Sequence, residues 1–197
     1  MQSKLFWFDT ETTGLDPKKN AMIQLAGMVE VDHEVVEEFN IMARPHKGAE
    51  ITAKALEVNG RTLAEIQSFP TLFEAISLLR RTLAQYVDKF DPKDKLIMAG
   101  FRTDFDGEFL RECFRRVQDR YFGSWFFNCS ADISTLLAIV IAETGLRLEN
   151  WRLSTACEHF GIHINAHDAL SDIKATRELY HVLMDIMGDI NGWGKGP

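Results

Sequence analysis

The chain has 197 residues, 46% of them hydrophobic, which suits one globular domain with a sizeable core. Its formal net charge of −7 argues against a protein that coats nucleic acid electrostatically, but it leaves room for an enzyme that grips only a strand end. No stretch is apolar over a length that could span a bilayer, and the N-terminus lacks a signal-peptide pattern. The three cysteines show no CxxC spacing, so we expect reduced thiols, no zinc site and a cytoplasmic location.

The first section of the chain predicts three consecutive strands. Apolar-rich runs cover residues 4–9, 21–31 and 35–43, and the last two runs flank the dipeptide Asp32-His33. Short turns between such runs favour antiparallel pairing. The chain therefore begins with a three-stranded antiparallel unit.

Three short helical patterns follow. Thr52 begins a helix that Asn59-Gly60 ends, and Thr62 starts a second helical turn. Pro70 then opens a longer helix whose apolar residues keep a period of 3.6, namely Leu72, Phe73, Ile76, Leu79 and Leu83.

In the second half, strands alternate with helices. The pattern predicts strands over residues 95–100 and 125–129 and helices over residues 105–117, 132–143 and 153–160. Asp168 is predicted to cap a last helix that runs to about residue 187. We therefore predict an α/β fold with a mixed β-sheet flanked by α-helices. One domain over residues 1–187 and a glycine-rich, frayed tail over residues 188–197 complete the prediction.

The end of the first strand carries the first candidate site. Asp9 and Glu11 stand two residues apart, so in an extended strand their side chains share one face. Two carboxylates aimed at one point repel each other unless one is protonated or a cation lies between them. Hard divalent ions such as Mg²⁺ take oxygen ligands of this kind, whereas an Asp-x-Glu pair on a solvated face is the simpler alternative.

Two further places carry acids. Asp106 stands at the start of the helix that follows the strand over residues 95–100, and His167, Asp168 and Asp172 stand at the start of the last helix. Helix capping explains each acid taken alone, and a loop histidine is more often structural than catalytic. The combination of all three places is much harder to explain in that way.

Together these motifs resemble the DEDDh 3′–5′ exonucleases, the group that contains the proofreading subunit of bacterial DNA polymerase III. The family's first motif, Asp-x-Glu-Thr-Thr-Gly, is matched by residues 9–14, and its second, an Asp after Phe at the head of a helix, is matched by Phe105-Asp106. The third, His-x-Ala-x-x-Asp, is matched by His167, Ala169 and Asp172. The resemblance extends over residues 4–186, nearly the whole chain.

The resemblance implies a sheet of the ribonuclease-H-like type and a two-metal hydrolysis of the terminal phosphodiester. Four acids would hold two divalent ions, Mg²⁺ or Mn²⁺, and His167 would act as general base; the acids are Asp9, Glu11, Asp106 and Asp172. The product would be a nucleoside 5′-monophosphate released from a DNA 3′ end. The terminal nucleotide would contact the first and second motifs through Thr10, Thr12, Thr13, Gly14, Leu15 and Phe105.

The chain departs from the family pattern at positions that bear on substrate preference. Phe101-Arg102 stands where many members carry His-Asn, Asn59 replaces a histidine, and Gln24 stands where an acid is common. An exoribonuclease of the oligoribonuclease or tRNA-trimming kind is therefore an alternative, and a non-catalytic polymerase-binding module is a weaker one.

The implied partners are a nucleic acid 3′ end and, as candidates, a DNA polymerase or another replication or repair protein. A stand-alone nuclease and a docking subunit both fit the sequence. Four arginines recur at helical spacing and form a candidate basic patch, for which a solvated helix face is the alternative: Arg111, Arg115, Arg116 and Arg120. The aromatic stretch over residues 121–127 is interpreted as buried core, with an interface as the alternative.

Overall fold

A computed structural model of the chain describes residues 3–164 and 169–191. Over these residues the elements follow in the order β1 Lys4–Thr12, β2 Met22–Val31, β3 Glu34–Met42, α1 Ala53–Val58, α2 Leu63–Ser68, α3 Leu72–Leu83, β4 Leu96–Gly100, α4 Thr103–Arg116, α5 Phe122–Trp125, β5 Phe126–Asp132, α6 Ile133–Thr144, α7 Leu153–His159 and α8 Ala169–Asn191.

The strands form one mixed sheet in the order β3-β2-β1-β4-β5. β1 pairs antiparallel with β2 and parallel with β4, while β4 pairs parallel with β5. The predicted mixed α/β sheet is therefore confirmed. The β2–β3 hairpin turns at Asp32 and His33, which both adopt positive φ as a tight hairpin turn requires.

Helices cover both faces of the sheet, and side-chain alternation along β1 assigns each face. Phe6 and Phe8 pack into the core beneath α3 and α4, whereas Trp7 packs into the core beneath α6 and α8. All three side chains are essentially inaccessible to solvent. β1 therefore lies at the centre of the fold, buried on both faces.

Buried hydrogen bonds connect the sheet to α8. Glu30 of β2 is 1% exposed and accepts hydrogen bonds from Trp7 Nε1 at 3.0 Å and from Arg177 Nε at 2.5 Å. Arg177 also donates to the carbonyl oxygen of His33 at 3.0 Å. These contacts fix α8 across the β1–β2 pair.

Several predicted boundaries differ in the structure. α3 begins at Leu72, two residues after Pro70, and Thr71 caps it through a capping box with Glu74. Phe73 is 64% exposed and is therefore not part of the apolar face of this helix. The predicted strand over residues 125–129 is shifted, because α5 ends at Trp125 and β5 begins at Phe126.

α8 continues to Asn191, so residues 188–191 are helical and not part of a frayed tail. The rest of that predicted tail, residues 192–197, and the capping residue Asp168 lie outside the described residues. None of the helices in residues 3–164 and 169–191 has the length and apolar character needed to cross a lipid bilayer. The three cysteines are free, and burial raises the pKa of the Cys113 thiol to about 12.

Candidate active site

The C-terminal end of β1 carries Asp9 and Glu11 on the sheet face that also carries Trp7. β1 is longer than predicted and ends at Thr12, so both acids lie inside the strand. The alternation of side chains points Asp9 and Glu11 toward α8 and points Thr10 to the opposite face, toward α4. The pairing with β2 shifts register between Glu11 and Thr12, an irregularity often found beside functional sites.

Asp106 reaches the same edge of the sheet from α4. β4 runs parallel to β1, so the two strands end at the same edge and α4 begins just beyond it. The close approach needs Gly100, because a Cβ atom there would lie 2.8 Å from the carbonyl oxygen of Phe8. Asp106 is 4% exposed, and its Oδ1 accepts hydrogen bonds from Thr10 N at 3.1 Å and Thr10 Oγ1 at 2.5 Å.

Burial and mutual repulsion change the ionisation of these acids. Burial, followed by the charges of Asp106, Glu11 and Asp172, raises the pKa of Asp9 well above its ordinary value. Burial, followed by the charges of Asp172 and Asp106, raises the pKa of Glu11 to about 7. Burial also raises the pKa of Asp106 to about 7, although the hydrogen bonds from Thr10 oppose the rise. The four predicted acids therefore lie close enough to repel one another.

Asp172 comes from the first turn of α8 and is half-buried. The packing of α8 over β1, in which Tyr180 contacts Trp7 at 5.5 Å between ring centroids, brings Asp172 to Asp9 and Glu11. The other predicted residue of this motif, His167, lies outside the described residues. In the sequence, this candidate general base precedes Ala169, the first residue of α8, by two positions.

The predicted nucleotide-binding loop is held by hydrogen bonds from inside the protein. Thr12 Oγ1 donates to the carbonyl oxygen of Gly14 at 2.7 Å, and Thr13 Oγ1 donates to that of Glu50 at 2.7 Å. Asn59 Nδ2, in addition, donates to the carbonyl oxygen of Thr12 at 2.9 Å. The hydroxyl groups of Thr10, Thr12 and Thr13 are therefore all engaged in hydrogen bonds inside the protein.

Leu15 follows this loop and is 84% exposed at its outer surface. Single exposed apolar side chains are common on protein surfaces, so a contact between Leu15 and a nucleotide belongs to the proposal below. Phe105, the remaining predicted contact, is half-buried and packs against Phe109 at 5.0 Å between ring centroids.

Two basic residues, Arg61 and Arg102, lie beside the acids. The sequence indicated Arg102 as a position that bears on substrate preference, and it gave no site role to Arg61. The charge of Arg61 acts to lower the pKa of Glu11, and its Nη2 donates to Gln24 Oε1 at 3.3 Å, where Gln24 is the cross-strand neighbour of Glu11. Arg61 also forms an ion pair with Glu65. Arg61 and Gln24 are 37 positions apart in the sequence. The position of Arg61 directly after Asn59-Gly60 is the one sequence feature that could have indicated a role for it.

Arg102 lies at the head of α4 with φ 65° and ψ 50°, a left-handed conformation that is uncommon for a non-glycine residue. Its side chain is exposed, and its charge lowers the pKa of Asp106. The Arg102 backbone N–H donates to Asp132 Oδ1 at 3.2 Å, which holds this conformation against β5.

The donor set has the chemistry of a hard-cation site. It consists of carboxylate oxygens whose repulsion a divalent ion would relieve. Within residues 3–164 and 169–191, no group of three or more His, Cys, Asp or Glu side chains is arranged to hold a metal ion as it stands. Ion binding by these acids therefore belongs to the proposal below.

The class of this protein follows from fold and sequence together. The fold is that of Escherichia coli exonuclease I: a complex with a dT13 oligonucleotide superposes with a TM-score of 0.77 at 20% identity, covering 97% of this chain and 43% of that one. A zinc-bound form in complex with single-stranded DNA gives the same TM-score at 20% identity, covering 98% and 43%. The mixed sheet with flanking helices is thus the ribonuclease-H-like fold of exonuclease I.

The model of the RNase T family, described as an exonuclease family, matches residues 6–180, and the chain belongs to that family. Ribonuclease T of Wigglesworthia glossinidia brevipalpis is 27% identical over 94% of this chain and 86% of its own length. The PolC-type DNA polymerase III of Bacillus subtilis strain 168 is also 27% identical, over 87% of this chain but only 11% of its own length. Enzymes of this exonuclease family depend on divalent metal ions.

Proposed function

We propose that this chain removes nucleotides one at a time from the 3′ end of DNA, acting on single-stranded or frayed ends and releasing nucleoside 5′-monophosphates. The observation that carries the proposal is the burial of acids that repel one another at the end of β1. Clustered carboxylates whose pKa values rise to about 7 cost folding free energy. A non-catalytic binding module has no physical need for such a cluster.

The proposed ligands of two Mg²⁺ or Mn²⁺ ions are Asp9, Glu11, Asp106 and Asp172. Bound ions of this kind polarise a phosphodiester and lower the pKa of an attacking water. Rigid placement of the four side chains follows from the elements that carry them, since β1, α4 and α8 are fixed to one another by buried contacts. Thr10 holds Asp106 in the orientation that a ligand needs, and its hydrogen bonds favour the ionised carboxylate against the effect of burial.

His167 is the proposed general base because an unperturbed imidazole has a pKa near neutrality. It lies two positions before Ala169, where α8 begins, so it stands close in sequence to the proposed ligand Asp172. The terminal nucleotide is proposed to contact the loop over residues 12–15. Leu15 offers the exposed apolar surface there, and Phe105 and the backbone around Gly14 line the same edge.

The relatives support DNA as the substrate and leave a specific rival. Exonuclease I structures contain DNA oligonucleotides, and PolC-type proteins are DNA polymerases. The rival is a 3′–5′ exoribonuclease, favoured by the ribonuclease T relative, of whose length this chain covers 86%. A DNA polymerase or another replication or repair protein is the proposed protein partner, since the matching part of PolC belongs to a much longer polymerase chain.

The deciding experiment compares release of the 3′ nucleotide from matched DNA and RNA oligonucleotides with Mg²⁺ or Mn²⁺. We expect faster turnover on DNA, loss of activity with EDTA, and loss of activity in Asp9→Ala and Asp172→Ala without loss of the fold. His167→Ala should lose most activity but still bind metal. Asp185→Ala, which removes an exposed acid elsewhere on α8, is the matched control. Wild-type turnover by Asp9→Ala would refute the site, and faster turnover on RNA would favour the rival.

A further inference from the structure

A groove lies along the exposed face of α4. It has a volume of about 810 Å³, and its walls are formed by α4, the chain just after α4 and the loop after β1. We call it the α4 groove and define it by Lys18, Glu108, Arg111, Glu112, Arg115 and Arg120. These residues include most of the arginine series noted in the sequence, which the proposed chemistry does not use.

The α4 groove is lined by four cations, Lys18, Arg111, Arg115 and Arg120, and by three acids, Glu108, Glu112 and Asp119, in a chain whose net charge is −7. Glu112 is already shared by two arginines, since Arg115 Nη2 lies 2.5 Å and Arg116 Nε 2.9 Å from its Oε1. The hydrogen bond from Arg115 lowers the pKa of Glu112 and so keeps it charged. Asp119, at the far wall, is paired with Arg80 of α3 at 2.7 Å.

Three cations of the groove have no such partner. Within residues 3–164 and 169–191, Lys18, Arg111 and Arg120 make no ion pair, and all three are exposed. The guanidinium carbon of Arg111 lies 4.3 Å from the centroid of the Phe122 ring, a cation–π contact that helps to hold this side chain in place. Glu108 is the one acid of the groove that makes no ion pair within the described residues, so three unpaired cations against one unpaired acid leave positive charge available to a ligand.

The two main segments that line the groove both start at the candidate site, although none of the lining residues belongs to the site itself. Lys18 follows the exposed Leu15 by three residues, and Arg116 Nη2 ties this loop to α4 by donating to the carbonyl oxygen of Lys18 at 2.6 Å. At the other wall, α4 itself starts beside the acids with Asp106 and carries Arg111 and Arg115 farther along the same helix. From Asp106 to Arg115 the helix rises about 13 Å, enough for several backbone atoms of an extended strand.

We infer that the α4 groove binds the phosphate backbone of a single-stranded nucleic acid on the 5′ side of the bond that is cut. The inference rests on the proposed function, because it takes the 3′ end to lie at the acids. A single strand fits better than a duplex, since fixed cations and a narrow groove can follow one flexible backbone. The groove supplies affinity and sets the path of the strand, and the acids carry out the chemistry.

The test uses the triple variant Lys18→Gln/Arg111→Gln/Arg120→Gln. Its control, Lys89→Gln/Lys93→Gln/Arg147→Gln, removes the same charge from exposed positions outside the groove. Two substrates are compared: a long oligothymidylate, which would occupy the groove, and the p-nitrophenyl ester of thymidine 5′-monophosphate, which is too short to reach it. Anisotropy of a labelled oligothymidylate in EDTA gives affinity without turnover.

For the groove variant we expect the KM for the long strand to rise about tenfold and the slope of log affinity against log salt to fall by about 2, since each lost contact to a single strand removes about 0.7. Hydrolysis of the ester should not change, and the control should match the parent protein. Equal KM values and salt slopes in the two variants would overturn the inference. So would unchanged oligothymidylate binding combined with lost binding of a hexaglutamate peptide, which would assign the groove to an acidic protein.

These outcomes separate the groove from the proposed function. If the parent protein hydrolysed neither substrate, the proposed function would fail, and the anisotropy curves alone would still decide whether the groove binds a strand. If the groove variant lost ester hydrolysis as well as strand cleavage, its effect would lie in the catalytic site, and the inference would be wrong.

Discussion

Thr10 and Asp106 form the link between the first strand and the helix that brings the third acid. One carboxylate oxygen of Asp106 accepts hydrogen bonds from both the backbone N–H and the hydroxyl of Thr10, at 3.1 and 2.5 Å. The two residues are 96 positions apart in the sequence. Because both donors favour the ionised carboxylate, this contact offsets part of the cost of burying Asp106.

Removal of the hydroxyl should therefore raise the pKa of Asp106. In Thr10→Val the carboxylate keeps only the backbone donor, so we expect its pKa to rise further above about 7 and the acidic limb of the activity profile to move to higher pH. Thr10→Ser, which keeps the hydroxyl, should behave like the parent protein. Carboxyl chemical shifts measured by NMR in metal-free buffer give the pKa directly, and equal values in Thr10→Val and the parent would contradict this role.

The acid cluster should make the metal-free protein less stable as pH rises. The pKa of Glu11 is 4.5 in the unfolded reference and about 7 in the fold, so the folded state holds its proton more tightly. The stabilising contribution is complete below pH 4.5 and is lost as pH rises through about 7. A shift of this size corresponds to a contribution on the order of 3 kcal/mol.

Glu11→Gln isolates this contribution, because the amide cannot ionise. Urea unfolding of both proteins should show Glu11→Gln becoming more stable than the parent between about pH 5 and pH 8. Added Mg²⁺ or Mn²⁺ should raise the Tm of the parent at the upper end of this range and affect Glu11→Gln less. If the difference in unfolding free energy between Glu11→Gln and the parent did not change with pH, ionisation of Glu11 would not be what destabilises the folded protein.

Gly14 should not tolerate a side chain. A Cβ atom there would lie 2.5 Å from side-chain atoms of Asn20, which is buried and donates through Nδ2 to the carbonyl oxygen of Glu50 at 2.8 Å. We expect Gly14→Ala to lower the free energy of unfolding by about 1–3 kcal/mol and to displace the loop that presents Leu15. In Gly123→Ala, where no atom lies within 4 Å of the added carbon, stability should change by less than about 1 kcal/mol. Urea denaturation compares the two.

The ion pair between Arg177 and Glu30 should matter far more than a similar pair on the surface. Arg177→Ala would leave the Glu30 carboxylate buried with only Trp7 as donor, and we expect a loss of about 3 kcal/mol. Lys174, three residues earlier, pairs with Glu38 at 2.8 Å with both side chains largely exposed, so Lys174→Ala should cost less than about 1 kcal/mol. Chemical denaturation that gave equal losses would mean that the buried pair is hydrated.

Local sequence patterns predicted the elements well, because the cues act over a few residues. Phe6, Trp7 and Phe8 point to alternating faces of the sheet as strand geometry requires, and Thr52 caps α1 as its side-chain chemistry favours. The errors have tertiary causes. Phe73 fits the helical period of α3, but the orientation of that helix on the sheet leaves it exposed. α5 forms where a strand was predicted to begin, and packing of Trp125 and Phe126 into the core decides that boundary.

In the candidate site, too, some features follow from the sequence and others depend on the tertiary structure. The sequence by itself determined which acids are candidate metal ligands, since Asp9 and Glu11 are on one face of a strand and Asp106 and Asp172 are in the first turns of helices. It also determined which family motifs these acids match. Only the tertiary structure decided that these acids share burial and repulsion, that Thr10 donates to Asp106, and that Arg61 and Arg102 lie beside them. The physical reason is range: strand and helix periodicity act between near neighbours, whereas charge, burial and hydrogen bonding depend on which distant segments the sheet brings to one edge.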